Sequence, residues 1–469
     1  MNPEEFRKNA HSVVDWLADY YKSIEKYPVK SLVRPGEIFE QIPDQAPDEQ
    51  ESFEQLMLDV DSKIMPGITH WQHPNFHAFF PANTSFPSIL AEMITAGLGA
   101  QCMIWETSPA AAELEEKMAL WFKAAMGLPA DWHGVIQDTA STATLAALLT
   151  AREQKTGYHI NEKGFDSRRL RVYCSTQTHS SIDKAVKIAG FGSENLVKIA
   201  VDTHMAMDPD ALEAAIIADT QNGMVPCAVV STLGTTSTLA FDPIKRIGAL
   251  CRKFNIWHHV DAAYAGSAWV LPEMRGLATG LDTADSYVFN PHKWLFTNFD
   301  CSMYYVRDKE ALLRTFEILP EYLKTGTRGI VNDYRDWGVP LGRRFRALKL
   351  WFVLRSYGLN GIRKRLREHL SYAEWLEQEI MKHPDFELML PRSLNMLVFR
   401  LHPAGYTGDL NALNQEFLGA LNASGKAYLT HTKLKENYVI RLVTGQTYLQ
   451  QKHVEGVWEI IVNQANKYL

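Results

Sequence analysis

Two short stretches of the chain carry residue types able to do covalent chemistry. Asn290-Pro291-His292-Lys293-Trp294 sets a lysine beside a histidine, just after the apolar run Ser286-Tyr287-Val288-Phe289 and before Leu295-Phe296. An ammonium between two apolar runs is costly to bury unless it is paired or used chemically. Upstream, Trp257-His258-His259-Val260-Asp261 reads as an apolar strand that delivers an aspartate into the small-residue run Ala262-Ala263-Tyr264-Ala265-Gly266. A lysine amine and a carboxylate at neighbouring strand ends suit pyridoxal phosphate (PLP) chemistry. The amine forms a Schiff base with the cofactor, and the carboxylate keeps the pyridine nitrogen protonated so that the ring can accept electrons. The ordinary alternative for the lysine is a strand-end position with its head in water. Asp261 is what weighs against it.

Both stretches need a frame. From Val135 onward, strand-like segments (Gly134–Asp138, Arg171–Ser175, Val197–Val201, Ala228–Ser231 and the two above) alternate with helical patterns. Such alternation predicts a mostly parallel sheet with helices on both faces and ligands at the carboxyl ends of its strands. Thr139-Ala140-Ser141-Thr142 opens a helix at one such end. Small hydroxyl residues there offer free N–H groups and a favourable dipole to a phosphate, and plain N-capping by Thr139 explains them equally well. His179 heads another helix, where capping or a core contact would account for it. Thr232-Leu233-Gly234-Thr235-Thr236 is a turn at a third strand end.

Ahead of this frame, Asn2-Pro3-Glu4-Glu5 starts a helix with a cap, a first-turn proline and acids at the positive end. Phe6, Ala10, Val13, Leu17, Tyr20 and Ile24 recur at three- and four-residue steps, and Ser52 opens a second helix with Leu56, Val60 and Ile64 on one face. Two such helices on a proline-rich, acidic connector cannot make a core alone. Trp71–Pro81 is unusually aromatic, suited to a core between domains or to a wall for a flat side chain. Leu319–Gly329, with two glycines and little periodicity, reads as a loop able to close over a site. Its Tyr322 could equally be a packing anchor. Arg335 and the Arg343-Arg344-Phe345-Arg346 cluster read as structural charge networks. A long helix from Leu350 leaves the large domain near Gly361, and the remainder holds strands at Asn395–Arg400 and Tyr438–Leu442 and helices near Leu410–Leu421 and Val454–Tyr468.

At 469 residues the chain suggests one large domain plus smaller ones, and 46% hydrophobic with 22% charged residues is the balance of a globular protein. A net charge of −6 gives no reason to expect nucleic acid or an anionic membrane as partner. The charged start Met1–Phe6 lacks the apolar core of a signal peptide, and no apolar run of about 18 residues suggests a membrane span. Five scattered cysteines without a Cys-x-x-Cys favour free thiols in a reducing cytoplasm over disulfides or a zinc site.

Three motifs carry a resemblance: His259-Val-Asp-Ala-Ala-Tyr-Ala-Gly-Ser267, Asn290-Pro-His-Lys-Trp294 and Pro340-Leu-Gly-Arg-Arg-Phe-Arg346. The chain resembles the aromatic L-amino acid decarboxylases, PLP enzymes that include DOPA, tyrosine, tryptophan and histidine decarboxylases, from Phe6 to the C-terminal helix. The resemblance implies an α/β large domain of the PLP-dependent transferase type (fold type I) over 86–360. It also implies a helical dimerisation segment at 1–85 and a small α+β domain at 361–469, in a homodimer with active sites at the subunit interface. Lys293, Asp261, His179 stacked on the cofactor ring, and Tyr322 protonating the substrate carbanion become the catalytic set. Ala140 and Ser141 match the phosphate-binding pair, and Thr235, Ala263, Asn290 and His292 match further cofactor contacts. Trp71, Phe79, Phe80, Pro81, Met103 and Gly342 match the substrate pocket. Gly342, serine in histidine decarboxylases, favours a large aromatic ring.

Several positions depart from the family pattern. Phe79 stands where many relatives have tyrosine, Ala82 where animal DOPA enzymes have threonine, Met103 where those enzymes have an aromatic residue, and Asp138 where glycine is common. An acid at 138 must turn away from a bound phosphate. Three other functions stay open: an aromatic acetaldehyde synthase, which would need Phe79 or Met103 to steer the chemistry because Tyr322 favours the amine; an acidic-amino-acid decarboxylase, for which the aromatic segment offers no cation; and a non-catalytic binding protein on the same fold.

Overall fold

Seven strands carry the chemistry-bearing residues: β1 (His133–Gln137), β2 (Leu170–Ser175), β3 (Leu196–Ile199), β4 (Val225–Thr232), β5 (Trp257–Asp261), β6 (Ser286–Phe289) and β7 (Ser302–Val306). In the computed structural model, which describes residues 1–318 and 330–468, they form one sheet in the order β1-β7-β6-β5-β4-β2-β3. β2 to β6 pair in parallel, while β7 is antiparallel to both β1 and β6. Six strands thus end at the same edge. The mostly parallel α/β sheet expected of the sequence is present, with β7 as the one reversed strand.

The central strands read as near-continuous apolar runs because both faces are covered. Val172, Cys174, Ala228 and Val230 pack into one core layer, and Tyr173, Val229, Ile199 and Leu212 into the other. In the first layer the helix Ala140–Thr156 follows β1, and its Ala143, Ala146 and Ala147 are fully buried. Side chains that small let the helix lie close to the sheet. Two histidines inside β5 bond to hydroxyls: His258 through Nε2 to Ser231, and His259 through both ring nitrogens to Thr144 (3.1 Å) and Ser286 (2.9 Å). The link from β5 to β6 is a series of 3₁₀ turns between Ala265 and Thr283.

The described chain divides into two units, Ala82–Ser371 around this sheet, and Met1–Pro81 together with Tyr372–Leu469. The second unit is built on an antiparallel sheet of β8 (Phe386–Leu388), β9 (Met396–Leu401), β10 (Thr430–Leu434) and β11 (Asn437–Val443), in the order β10-β11-β9-β8. Its core joins Leu397, Phe399 and Ile440 to Phe417 and Ile461 of the helices Leu410–Ala423 and Gln451–Ala465. The N-terminal segment is tied to this unit through its backbone. Val29 N–H donates to Gly425 O (2.8 Å) and His77 N–H to Tyr428 O (2.9 Å).

The helix Pro3–Ser23 starts with a capping box between Asn2 and Glu5 and has no buried residue. It lies beside the helix Phe53–Asp59 and the π turn after it, with Trp16 Nε1 donating to Asp61 (2.8 Å). The long helix Arg346–Lys382 is broken at Gly358, whose φ of +63° only glycine adopts readily. All five cysteines are free and buried. Among the described residues no helix is long and apolar enough to cross a membrane.

Candidate active site

Asp261 and Lys293 come together because β5 and β6 are parallel neighbours, with Asp261 in register with Val288. The chain beyond each strand is stitched to the other. Ala262 N–H donates to Val288 O (2.9 Å) and Asn290 N–H to Ala263 O (2.9 Å). Asp261 Oδ1 accepts from Ala263 N–H (2.9 Å), which fixes the carboxylate over its own turn. Asn290, buried, takes the hydroxyl of Ser302 on its amide oxygen and opens the single turn Pro291–Trp294 that carries Lys293.

A turn of four residues does not hold itself. Asn83 holds it from outside: its side-chain amide donates to Lys293 O (2.5 Å) and its backbone N–H to His292 O (2.9 Å). Ser85 Oγ donates to Phe296 O (2.6 Å) a few residues on. Trp294, fully buried, stacks on Tyr264 at 5.1 Å and donates to His369 Nδ1 (2.9 Å). Sequence reasoning missed Asn83 and Ser85; a polar run ahead of the helix Phe86–Leu98 signals only a cap.

Burial lowers the pKa of Lys293, and the charge of Asp261 opposes that shift. Partial desolvation lowers His179 as well, with Asp261 raising it and Lys293 lowering it further. The three groups therefore share one electrostatic space. An amine with a lowered pKa is more often neutral, the form that attacks an aldehyde. His292 is pushed down to about 3 by burial and then by Lys293, so its ring is neutral. Its Nδ1 accepts from Cys301 N–H (2.9 Å), which leaves Nε2–H as the donor.

Ala140 and Ser141 occupy the first turn of a 17-residue helix capped by Thr139. The carboxylate of Asp138 accepts from Thr139 N–H (2.6 Å), an arrangement that engages it with its own neighbour. Thr235 is buried, and its hydroxyl is engaged inside its turn with Ala240 N–H (3.0 Å) and Thr238 (3.0 Å). The ring of His179 is exposed, with Nδ1 accepting from Ser181 N–H (3.1 Å).

Met103 and Gly342 lie in the same unit, on segments tied to each other. Cys102 N–H donates to Arg343 O (3.0 Å), and Arg335 N–H to Met103 O (2.9 Å). A Cβ at Gly342 would stand 3.3 Å from Gln101 Nε2. Trp71, Phe79, Phe80 and Pro81 belong to the other unit. There Phe79 stacks on Trp71 (5.7 Å, 18°), meets Tyr428 edge-on (5.9 Å), and is 43% exposed with a strained φ of +51°. Strain of this kind concentrates at ligand-binding positions. Phe80 lies under the guanidinium of Arg441, at 5.5 Å. Tyr322 falls outside the described residues.

A lysine with lowered pKa, an aspartate on the adjacent strand end, a neutral histidine donor and an open helix start are the donor set that PLP requires for its aldehyde, pyridine nitrogen and phosphate. The fold and the site thus define a PLP enzyme of the fold type I class. The pyridoxal-dependent decarboxylase conserved domain matches residues 35–402. The chain is 42% identical over 483 aligned positions to phenylacetaldehyde synthase of Arabidopsis thaliana, covering 100% of this chain and 97% of that protein. It is also 42% identical to tyrosine decarboxylase 2 of Narcissus pseudonarcissus, covering 99% and 95%. A crystal structure of Oryza sativa TDC with PLP and tryptamine superposes with a TM-score of 0.96 at 36% identity, covering 100% of this chain and 99% of that one. The chain belongs to the pyridoxal-dependent decarboxylases.

Proposed function

We propose that the protein converts aromatic L-amino acids (tyrosine, DOPA, tryptophan or phenylalanine) to the corresponding amine and carbon dioxide. The observation that carries the substrate class is the exposed aromatic surface of Phe79, braced by Trp71 and Tyr428. The matched tyrosine decarboxylase supports the same class.

When bound, PLP supplies the electron sink for the pair released from the Cα–carboxylate bond. Lys293 would hold its aldehyde carbon, and the carboxylate of Asp261 would keep a proton on its pyridine nitrogen. Ala140, Ser141 and the Nε2–H of His292 would bind its phosphate, and His179 would cover one ring face. Thr235, Ala263 and Asn290 shape the surrounding turns. Trp71, Phe79, Phe80, Pro81, Met103 and Gly342 orient the substrate ring and exclude water. Tyr322 delivers a proton to substrate Cα, a role supported by sequence alone.

The assembly reading is a homodimer with sites at the subunit interface and residues 1–85 as the dimerisation segment. The absence of any buried residue in the helix Pro3–Ser23, with Phe6, Leu56 and Leu58 exposed nearby, supports it; a monomer in sedimentation equilibrium would refute it. Five buried free thiols support a reducing, cytoplasmic setting.

The deciding experiment is mass-spectrometric product identification with PLP and a panel of tyrosine, DOPA, phenylalanine, tryptophan, histidine and glutamate. An aromatic amine is expected. An aldehyde with hydrogen peroxide would move the protein to the aldehyde-synthase alternative, the activity for which the Arabidopsis relative is named, and no product would refute the reading.

A further inference from the structure

Arg343 and Glu115 form an ion pair (Nη2 to Oε1, 2.5 Å) with side chains only 6% and 3% exposed. Their remaining bonds show what the pair does. β1 is an edge strand, so the polar groups of Ile136 facing away from β7 have no strand to bond. Glu115 accepts from Ile136 N–H (2.8 Å), and Arg343 Nη2 donates to Ile136 O (2.9 Å). The pair thus stands in for a neighbouring strand at the last turn of chain before Ala140 and Ser141.

The other side of Arg343 faces the pocket segments. Its Nη1 donates to Tyr334 O (3.2 Å). Its backbone N–H donates to Gln101 Oε1 (2.6 Å), and its carbonyl accepts from Cys102 N–H (3.0 Å). Met103 and Gly342 are each one residue from those bonds. Gln137, next along β1, repeats the tie with Nε2 donating to Trp337 O (3.0 Å).

We propose that the Arg343–Glu115 pair is a positioning element that sets the substrate wall, Met103 and Gly342, against the phosphate cradle at Ala140 and Ser141. It rests on the pocket and cradle assignments proposed above. A planar guanidinium with several donors can hold Ile136, Tyr334 and Glu115 at once; an ammonium at the same place is a point charge that cannot keep this geometry. Pocket and cradle therefore move together when the fork is lost, even though the charge is kept.

The test uses the full-length holoenzyme with Arg343→Lys, which preserves the charge against Glu115, and Gln101→Leu, which cuts the tie beside Gly342 without touching the buried pair. Cofactor affinity is read by titrating the visible absorption of bound PLP, and kcat and KM are measured for phenylalanine and tryptophan. Arg343→Lys is expected to weaken PLP binding about tenfold, the scale of one charge-assisted hydrogen bond. It should also shift the tryptophan-to-phenylalanine ratio of kcat/KM by about fivefold or more through KM. Gln101→Leu should shift the same ratio in the same direction with PLP affinity within about twofold. A merely structural pair would lower the melting temperature and the amount of active enzyme while leaving PLP affinity and the substrate ratio unmoved, and that result overturns the proposal. If Arg343→Lys does not fold, an unmoved ratio in Gln101→Leu overturns it. If the wild-type protein turns over no aromatic amino acid, the functional reading has failed; unchanged PLP affinity in Arg343→Lys then still decides against the positioning role.

Discussion

Replacing Asn83 by alanine tests whether the lysine is held from outside its own turn. Asn83 is 1% exposed, and its amide donates to Lys293 O at 2.5 Å. The variant keeps the backbone bond from residue 83 to His292 O but removes a buried donor from Lys293 O, at a cost of about 1–3 kcal/mol. In a folding unit of this size each kcal/mol is worth roughly 2 °C, so a fall of about 2–6 °C in melting temperature follows. The catalytic loss should be larger than that destabilisation implies, because the Pro291–Trp294 turn cannot hold the amine in place once the clamp is gone. A misplacement near 1 Å can cost about a hundredfold in rate. Ser85→Ala is the control: it removes a bond of similar length to Phe296 O, beyond the lysine turn. Melting curves with and without PLP, and kcat at saturating substrate, separate the two. If both variants lose stability alike and kcat of Asn83→Ala stays within about twofold of wild type, the clamp does not position Lys293.

Other outcomes follow from the same geometry. Lys293→Ala should lose the visible absorption of lysine-bound PLP, whereas Asp261→Asn should still bind cofactor but turn over far more slowly; stopped-flow absorbance distinguishes them. Tyr322→Phe should divert product from amine toward aldehyde, read as peroxide release, and an unchanged amine yield would remove the tyrosine from the mechanism. Gly342→Ser places a Cβ 3.3 Å from Gln101 Nε2, so kcat/KM should fall more for tryptophan than for phenylalanine, by roughly tenfold or less for so small an intrusion. Stability should fall on acidification. His258, His259 and His292 are held near 3 by burial, below the ordinary value of 6.5, so the unfolded chain binds more protons than the fold. That stabilisation is complete above pH 6.5 and is lost progressively from there toward pH 3, at about 2 kcal/mol per histidine by pH 5. A melting temperature flat from pH 7 to 5 would refute it.

The parts of the site that were legible from the sequence are those in which residue type alone is anomalous. A lysine between apolar runs and an aspartate at the end of another apolar run identified the strand ends, and the strand–helix alternation supplied the sheet that brings them together. The reversed strand β7 was not legible, because strand direction is set by the connection and not by composition. Its short link from β6, occupied by the lysine turn, was the available signal. β8 has three residues and β10 alternates polar side chains, so neither shows as a run. Asn83 escaped because its partner lies 210 residues away and nothing local distinguishes a clamp from a cap. Arg343 reads as one arginine in a charged cluster; only its burial and its bonds to an edge strand separate it from Arg344, whose side chain is 55% exposed in its pair with Glu92.

These differences divide the site into two kinds of construction. The strand ends that carry the chemistry-bearing residues are joined by backbone bonds, Ala262 to Val288 and Asn290 to Ala263, to which Asp261 and Asn83 add side-chain ties. The two backbone bonds do not depend on side-chain identity, so the strand ends stay joined when neighbouring side chains change. The pocket residues of the same unit are fixed by side chains, with Gln101 beside Gly342 and Arg343 beneath both segments. Pocket side chains such as Gln101 can therefore be exchanged while the two strand ends stay joined. Such a separation would allow proteins 42% identical to this chain over nearly their whole length to bear the names of a tyrosine decarboxylase and a phenylacetaldehyde synthase.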